Sequence, residues 1–370
     1  MKSETDITTG EAGPDPVYAT TLDATRTVAP AVPAPPAHDP FSVGDVDGAP
    51  AVEFDETAWV EDRNPAPTHG WRRTLWRLTG GRYAPAPSAD EQRGRALLEA
   101  TRRPFGGART IAVVSTKGGV GKTTTALNLG HTLAAIRGDR VVALDANPDA
   151  GSLGYRVRRE TQATAADLLA FPHEITSYAQ IRSFTSQASS RLEVIASDDD
   201  PRLTRRLGRR EYERLLTLLR RQYNLILADC GTGILDSATR GVVQSADQLV
   251  VVTGPSVDAA RAVTYLLAWL REHGMAKKVQ RAVVVVNGVR PGRRPVDVER
   301  VTDHFRQLVR DVVVLPWDAE LSNGAAVELE WLDSATRQAY LGLAATLVEE
   351  FVTTSPEMSP ISTAALGGTT

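Results

Sequence analysis

Residues 111–124 read Ile-Ala-Val-Val-Ser-Thr-Lys-Gly-Gly-Val-Gly-Lys-Thr-Thr, an apolar run that breaks into a glycine-rich turn and then into residues suited to a helix. A buried strand, a pliant turn and a helix N-terminus in immediate succession point to α/β layers built on a parallel sheet. Glycines at 118, 119 and 121 let the backbone curl so that successive N–H groups point inward, and the helix adds the positive end of its dipole. The segment therefore reads as a phosphate loop. Gly118, Gly119, Val120 and Gly121 form its cradle, Lys122 is placed to contact the β- and γ-phosphates, Thr123 to ligate Mg²⁺ through its hydroxyl, and Thr124 to touch the α-phosphate. The common pattern G-x-x-x-x-G-K-[ST] is not met strictly. Thr116 stands where the first glycine belongs, and a second lysine, Lys117, follows it.

From Arg109 onward, short β-branched runs alternate with longer helical patterns. Strands are expected at 110–115, 140–145, 192–196, 224–229, 248–253, 281–287 and 312–315, and helices at about 121–137, 209–222, 235–245, 258–272, 296–309 and 333–352. Val283-Val284-Val285-Val286 shows no polar alternation, the pattern of a strand buried on both faces. The fold class is α/β, a doubly wound, mostly parallel sheet flanked by helices.

The regions outside that pattern differ in composition. Residues 1–68 form a Pro/Ala-rich acidic arm with little to bury and are expected to be disordered, as a docking tail or a spacer. Residues 69–108 read as a basic helical linker. In it Trp71, Leu75 and Leu78 share one face of a short arginine-rich helix that ends at Gly80-Gly81 and suits either docking on the domain or a membrane surface. A second helix is expected from 88 or 89 to 103, with Asp90 and Glu91 near its positive end and Arg102 and Arg103 near its negative end. Residues 109–352 make the nucleotide-binding domain, and 353–370 a disordered tail.

With 42% hydrophobic residues in 370, the chain can bury a full core. A net charge of −3 announces neither a nucleic-acid nor a membrane binder. A single cysteine, Cys230, excludes an intramolecular disulfide framework and cysteine metal cages within one chain, which points to a reducing cytoplasm. The start has no apolar signal core, and no apolar run approaches the ~18–20 residues that span a bilayer, so no transmembrane segment is expected.

The second strand ends in Asp145-Ala146-Asn147-Pro148-Asp149. An acid at a strand's carboxyl end beside a phosphate loop can hold Mg²⁺-bound water or orient an attacking water, and Asp145 has that place. The amide of Asn147 can position water but cannot act as a general base.

Lys117-Gly118-Gly119-Val120-Gly121-Lys122-Thr123-Thr124 resembles the deviant Walker A motif of the ParA/MinD superfamily of P-loop ATPases. The resemblance implies ATP and Mg²⁺ as cofactors, and an ATP-dependent sandwich homodimer in which Lys117 reaches the nucleotide of the partner subunit. Lys117, Lys122, Asp145 and Asn147 become the catalytic candidates. The superfamily commonly reads Asp-x-Asp where this chain has Asn147 as the second member, so the expectation is either slow hydrolysis or recruitment of Asp149 as the acid. The run Leu225–Ala228 followed by Asp229-Cys230-Gly231-Thr232-Gly233 resembles the Walker B strand and switch II loop. That implies a magnesium site of Thr123, Asp145 and Asp229, the last acting through water. Gly231 stands where the superfamily often has proline, and Cys230 reads as a small buried residue. Asn287, Pro316 and Trp317 fall where relatives hold the adenine, although an Asn at a strand end can also cap a turn.

Further segments resemble a narrower group, the EspI-like ATPases of actinobacterial type VII (ESX) secretion loci: Trp71-Arg72-Arg73, Arg137-Gly138-Asp139-Arg140, Ala143–Ala146, Ala228–Gly231, Arg240-Gly241-Val242 and Leu315–Asp318. They imply a regulatory or auxiliary secretion ATPase, cytoplasmic or peripheral at the membrane through partners, with a protein partner met by the N-terminal arm. Two other readings stay open. One is a partitioning or positioning ATPase that binds DNA non-specifically through Arg202, Arg205, Arg206, Arg209, Arg210 and Arg214, or through Lys277, Lys278, Arg293 and Arg294. The other is an ATP-dependent scaffold that does not hydrolyse. A MinD-like C-terminal membrane helix is not expected, because residues 353–370 contain no Lys or Arg.

Overall fold

The computed structural model describes residues 77–79, 88–148, 151–170, 175–198, 207–233, 236–292 and 296–354. The expected acidic arm, most of the Trp71–Leu78 face, Asp149, Arg202, Arg205, Arg206, Arg293, Arg294 and the tail from 355 lie outside the described residues.

The near-continuous apolar runs form one eight-stranded sheet. From one edge to the other its strands are β3 (Ser186–Gln187), β4 (Glu193–Ile195), β2 (Val141–Ala146), β5 (Leu225–Cys230), β1 (Arg109–Val114), β6 (Gln248–Thr253), β7 (Val283–Val289) and β8 (Asp311–Pro316). All neighbours run parallel except β3, which is antiparallel to β4. The middle strands are apolar on both faces because both are covered. On one side α2 (Lys122–Ile136) and α11 (Ser334–Thr354) supply Leu129, Leu133, Leu343 and Leu347. On the other, α5 (Arg209–Leu219), α6 (Ser237–Ser245), α7 (Val257–Leu270) and α9 (Val298–Arg306) supply Leu215, Val242, Leu267 and Phe305.

Each expected strand and long helix is present, with ends displaced by a few residues. Among the described residues the elements not foreseen are short: β3, α3 (Ala165–Ala170), α4 (Tyr178–Arg182), α8 (Ala276–Arg281), α10 (Ala319–Ser322), the π turn Arg271–Met275 and the 3₁₀ turns Leu153–Arg156 and Leu329–Trp331. Two to six residues are too few to display a period. One displacement matters for the site. Strand β7 was expected to stop at Asn287, yet Gly288 takes φ 74°, the ladder skips, and pairing resumes at Val289 opposite Pro316. The bond from Trp317 N–H to Val289 C=O, 3.0 Å, then holds the end of β8 beside Asn287.

The chain moves from β1 outward to β2 and β4, returns to β5 and then crosses to β6 on the other side of β1. That reversal of direction opens a crevice at the carboxyl ends of the central strands, where such sheets bind ligands.

Before the sheet, α1 (Ala89–Arg102) starts with a reciprocal capping box between Ser88 and Glu91 and packs along α11. Arg137 locks its far end. Its Nη1 donates to Thr101 C=O at 2.6 Å and to Arg103 C=O at 2.8 Å, and its guanidinium lies 4.5 Å from the Phe105 ring, which packs on Phe351. Arg137 is buried, so these charge-assisted bonds are little weakened by solvent. Arg137→Ala is expected to cost about 2–4 kcal/mol, readable as a lower urea midpoint, by stranding two carbonyls and a ring contact. An unchanged midpoint would mean that α1 is held by its apolar face alone.

Candidate functional site

The phosphate-loop residues form a turn at the end of β1 in which Gly119 (φ 75°) and Gly121 (φ 91°) take the left-handed conformation open to glycine. Gly121 is also the N-cap of α2, and no side chain caps that helix, so its first N–H groups face the turn. Gly121 is required twice over. A Cβ there would stand 2.0 Å from Asn287 Nδ2, which donates to Val120 C=O at 2.8 Å. Asn287 thus ties β7 to the loop, besides lining the cavity above it.

Lys122 is buried at the floor, its Nζ 3.4 Å from Asp229 Oδ1, and the Thr123 hydroxyl bonds to the same carboxylate. Parallel pairing of β2 and β5 places Asp145 directly beside Asp229. Burial, reinforced by the neighbouring Asp229, pushes the Asp145 carboxyl above the ordinary carboxylate range, and burial pushes Asp229 the same way against the pull of Lys122. Both Asp145 oxygens take backbone donors, Oδ1 from Asn147 N–H at 3.2 Å and Oδ2 from Leu153 N–H at 3.0 Å. Asp145 therefore also holds the loop that follows β2. Asn147 lies against the loop after β5: a Cβ at Gly231 would be 3.0 Å from Asn147 Oδ1 and 3.2 Å from Pro148 Cδ. A side chain at 231 would require Asn147 or Pro148 to give way by a few tenths of an ångström. Cys230 is fully buried, and burial raises its thiol, as suits a packing residue.

A cavity of about 560 Å³ sits over the loop, within the size range of small-molecule sites. It brings together Lys117 through Thr124, Asn287, Pro316 and Trp317. Trp317 is partly exposed at the rim, with the Arg290 guanidinium 4.8 Å from its ring. Asp318 caps α10 through Glu320 N–H and accepts from Asp333 N–H at 2.9 Å, fixing the wall beyond Trp317. Lys117 behaves unlike Lys122. Its side chain is about half exposed, and its Nζ lies 4.0 Å from Asp258 Oδ2 on α7.

Sequence reasoning missed Arg156, at the end of the 3₁₀ turn Leu153–Arg156. It lines the same cavity and donates from Nη1 to Thr124 Oγ1 at 2.9 Å. No motif contains it; the one local hint was an arginine eleven residues beyond Asp145 in an unassigned loop. Of the surface cations considered for DNA, Lys278 is spent on Ala246 C=O and Arg209 pairs with Glu213 at 2.7 Å. Among the described residues, no helix is long and apolar enough to cross a membrane and no cluster of three acidic, His or Cys residues offers a metal cage.

Residues 111–330 match the family model described as the CobQ/CobB/MinD/ParA nucleotide binding domain. The chain belongs to that family. Within it, the chain is 40% identical over 284 residues to the ESX-1 secretion-associated protein EspI of Mycobacterium tuberculosis H37Rv, a match that takes in 76% of this chain. The chain spans only 42% of the length of that relative. It is 31% identical over 254 residues to the chromosome partitioning protein ParA of Caulobacter vibrioides, covering 64% of this chain and 92% of ParA. In fold it is similar to the septum site-determining protein MinD of Pyrococcus horikoshii, solved with Mg-ADP. There the TM-score is 0.52 at 23% identity, over 64% of this chain and 94% of that one.

Proposed function

We propose that this chain is a Mg²⁺-dependent ATP switch that dimerises on ATP, hydrolyses it slowly and serves a type VII secretion system as a regulatory or auxiliary ATPase. The observation that carries this reading is the contrast between the two lysines of the loop. Lys122 is sunk against Asp229, as a residue that meets the phosphates of its own chain's nucleotide should be, whereas Lys117 stands at the mouth on an exposed pairing with Asp258. A long cation poised at the mouth, on a weak surface ion pair, is free to exchange that partner for a phosphate presented by a second subunit.

The residues present fit both implied groups. The curled N–H groups of Gly118 to Gly121 and the uncapped start of α2 suit the phosphates of ATP. Thr123, Asp229 and Asp145 would hold Mg²⁺, an ion that takes few protein oxygens and keeps its waters. Mg²⁺ would neutralise charge on the phosphates. Asn287, Pro316 and Trp317 are the residues proposed to meet the base. The chain's own contribution to hydrolysis is proposed to be positioning by Lys122, Asp145 and Asn147. The amide at 147 orients water without accepting its proton, which keeps turnover below the enzyme median of about 10 s⁻¹. The secretion role rests on the likeness to EspI, with a cytoplasmic or membrane-peripheral location and a partner met through residues 1–68.

Light scattering and phosphate release, followed together with MgATP, test this. ATP is expected to convert protomer to dimer, Lys117→Ala to abolish that conversion, and Asn147→Asp to raise turnover by about tenfold or more, since a positioned base contributes on that scale or above. Dimerisation indifferent to ATP and to Lys117→Ala would overturn the switch, and no phosphate release from either chain would leave an ATP-dependent scaffold. A depression of about 780 Å³ beside α5, where Arg210, Arg214 and Arg221 outnumber the single carboxylate Glu213, favours a second reading as a DNA-binding positioning ATPase. Salt-sensitive DNA binding that requires ATP would establish it.

A further inference from the structure

The cavity wall facing the phosphate loop carries a cation whose surroundings assign it a task. Arg156 ends a 3₁₀ turn that is pinned on both sides: Leu153 is fully buried with its N–H on Asp145, a Cβ at Gly154 would stand 2.6 Å from Ala196 Cβ, and Val157 is in the core. The turn is thus rigidly placed, and its arginine reaches into the cavity to Thr124. Two further cations line the cavity and have carboxylates, Lys122 on Asp229 and Lys117 on Asp258. Among the described residues no carboxylate forms an ion pair with Arg156, and its Nε is buried with no hydrogen-bond partner. Burial works against the charge of this guanidinium and the nearby Asp229 supports it without an ion-pair contact, so an anion entering the cavity would complete its neutralisation. Its planar fork matches phosphate oxygens. The bond it makes adds a second element. Because the Thr124 hydroxyl accepts from Nη1, its own proton is left to donate to another acceptor, and the pair presents converging donors to one anion.

We propose that Arg156 is a phosphate-binding residue that acts with Thr124 on the α-phosphate of a bound nucleoside di- or triphosphate, and so fastens the segment 151–157 to the occupied site. This rests on the nucleotide reading of the cavity. Since Asp145 holds Leu153 and Asn147 from the same carboxylate, an anion seized by Arg156 also steadies the loop that carries Asn147. Occupancy is thereby transmitted to that loop by ADP as well as by ATP.

The test uses full-length protein with Mg²⁺ and fluorescent N-methylanthraniloyl ADP and ATP, comparing wild type, Arg156→Gln and Arg156→Lys, with hydrogen exchange of residues 151–157 with and without ADP. Arg156→Gln is expected to raise the Kd for both nucleotides by the same factor, about ten to a hundred, the worth of a charged hydrogen bond, and Arg156→Lys to recover part of it. ADP is expected to slow exchange in 151–157 in the wild type but not in Arg156→Gln, whose melting temperature without nucleotide stays that of the wild type. Binding of ADP by Arg156→Gln at wild-type affinity would overturn the role of the arginine alone. A loss confined to ATP would overturn the α-phosphate assignment. Failure of the wild type to bind either nucleotide would overturn the nucleotide reading, and the proposal with it.

Discussion

Lys122→Ala is expected to weaken MgATP binding by at least about a hundredfold, measured by titration calorimetry. Its ammonium is fixed at the cavity floor, 3.4 Å from Asp229 and at the start of α2, so it meets phosphate oxygens without losing much side-chain freedom. Two charge-assisted bonds at about 1.5–3 kcal/mol each exceed the ~2.8 kcal/mol that a hundredfold requires. The same substitution leaves Asp229 buried without its cation. Breaking a buried pair by removing one partner costs about 3–5 kcal/mol when the survivor stays charged, and less when it takes up a proton. Lower stability is therefore expected in urea unfolding, and calorimetry is to be run where the variant is folded. Affinity within about tenfold of the wild type would place the phosphates away from this loop.

Gly121→Ala is expected to abolish nucleotide binding and to lower stability by about 2–3 kcal/mol. A left-handed φ costs a residue with a Cβ about 1–2 kcal/mol, and the Asn287 bond to Val120 adds about 1 kcal/mol if it is lost. Asn287 cannot remain, since the new methyl would overlap its amide at 2.0 Å. Displacing it detaches β7 from the phosphate loop. Gly118→Ala is the matched comparison. Nothing lies within 4 Å of a Cβ there and its φ is not left-handed, so its stability is expected to equal that of the wild type. Equal stability of Gly118→Ala and Gly121→Ala under urea would show that the Asn287 contact yields easily and that crowding at the loop is not what demands glycine.

Much of the fold was legible because its signals are local. A run such as Val283–Val286 announces a doubly covered strand from its own residues, and the spacing of Leu215, Leu216 and Leu219 announces a helix. The loop from Lys117 to Thr124 is local in the same sense, since glycines, lysine and threonines gathered within one turn are the residue types suited to cradle a phosphate. Ends were less legible than middles. The Asn287-Gly288 pair has the look of a turn, but pairing with β8 carries the strand on to Val289, and that decision lies in a neighbour some two dozen residues away.

The phosphate loop, its strand and its helix were legible in consecutive residues, whereas the side-by-side placement of Asp145 and Asp229 follows from the parallel pairing of β2 with β5. The tertiary structure alone decided which distant groups complete the site. Asn287 reaches Val120 because β7 lies two strands from β1, Lys117 finds Asp258 because α7 starts beside the loop, and Arg156 reaches Thr124 because Asp145 and the core hold its turn. The physical reason is range. Backbone conformation and hydrophobic period act over a few residues and can be read in order, whereas a hydrogen bond across a cavity depends on the register of strands and helices that meet only when the whole sheet has formed.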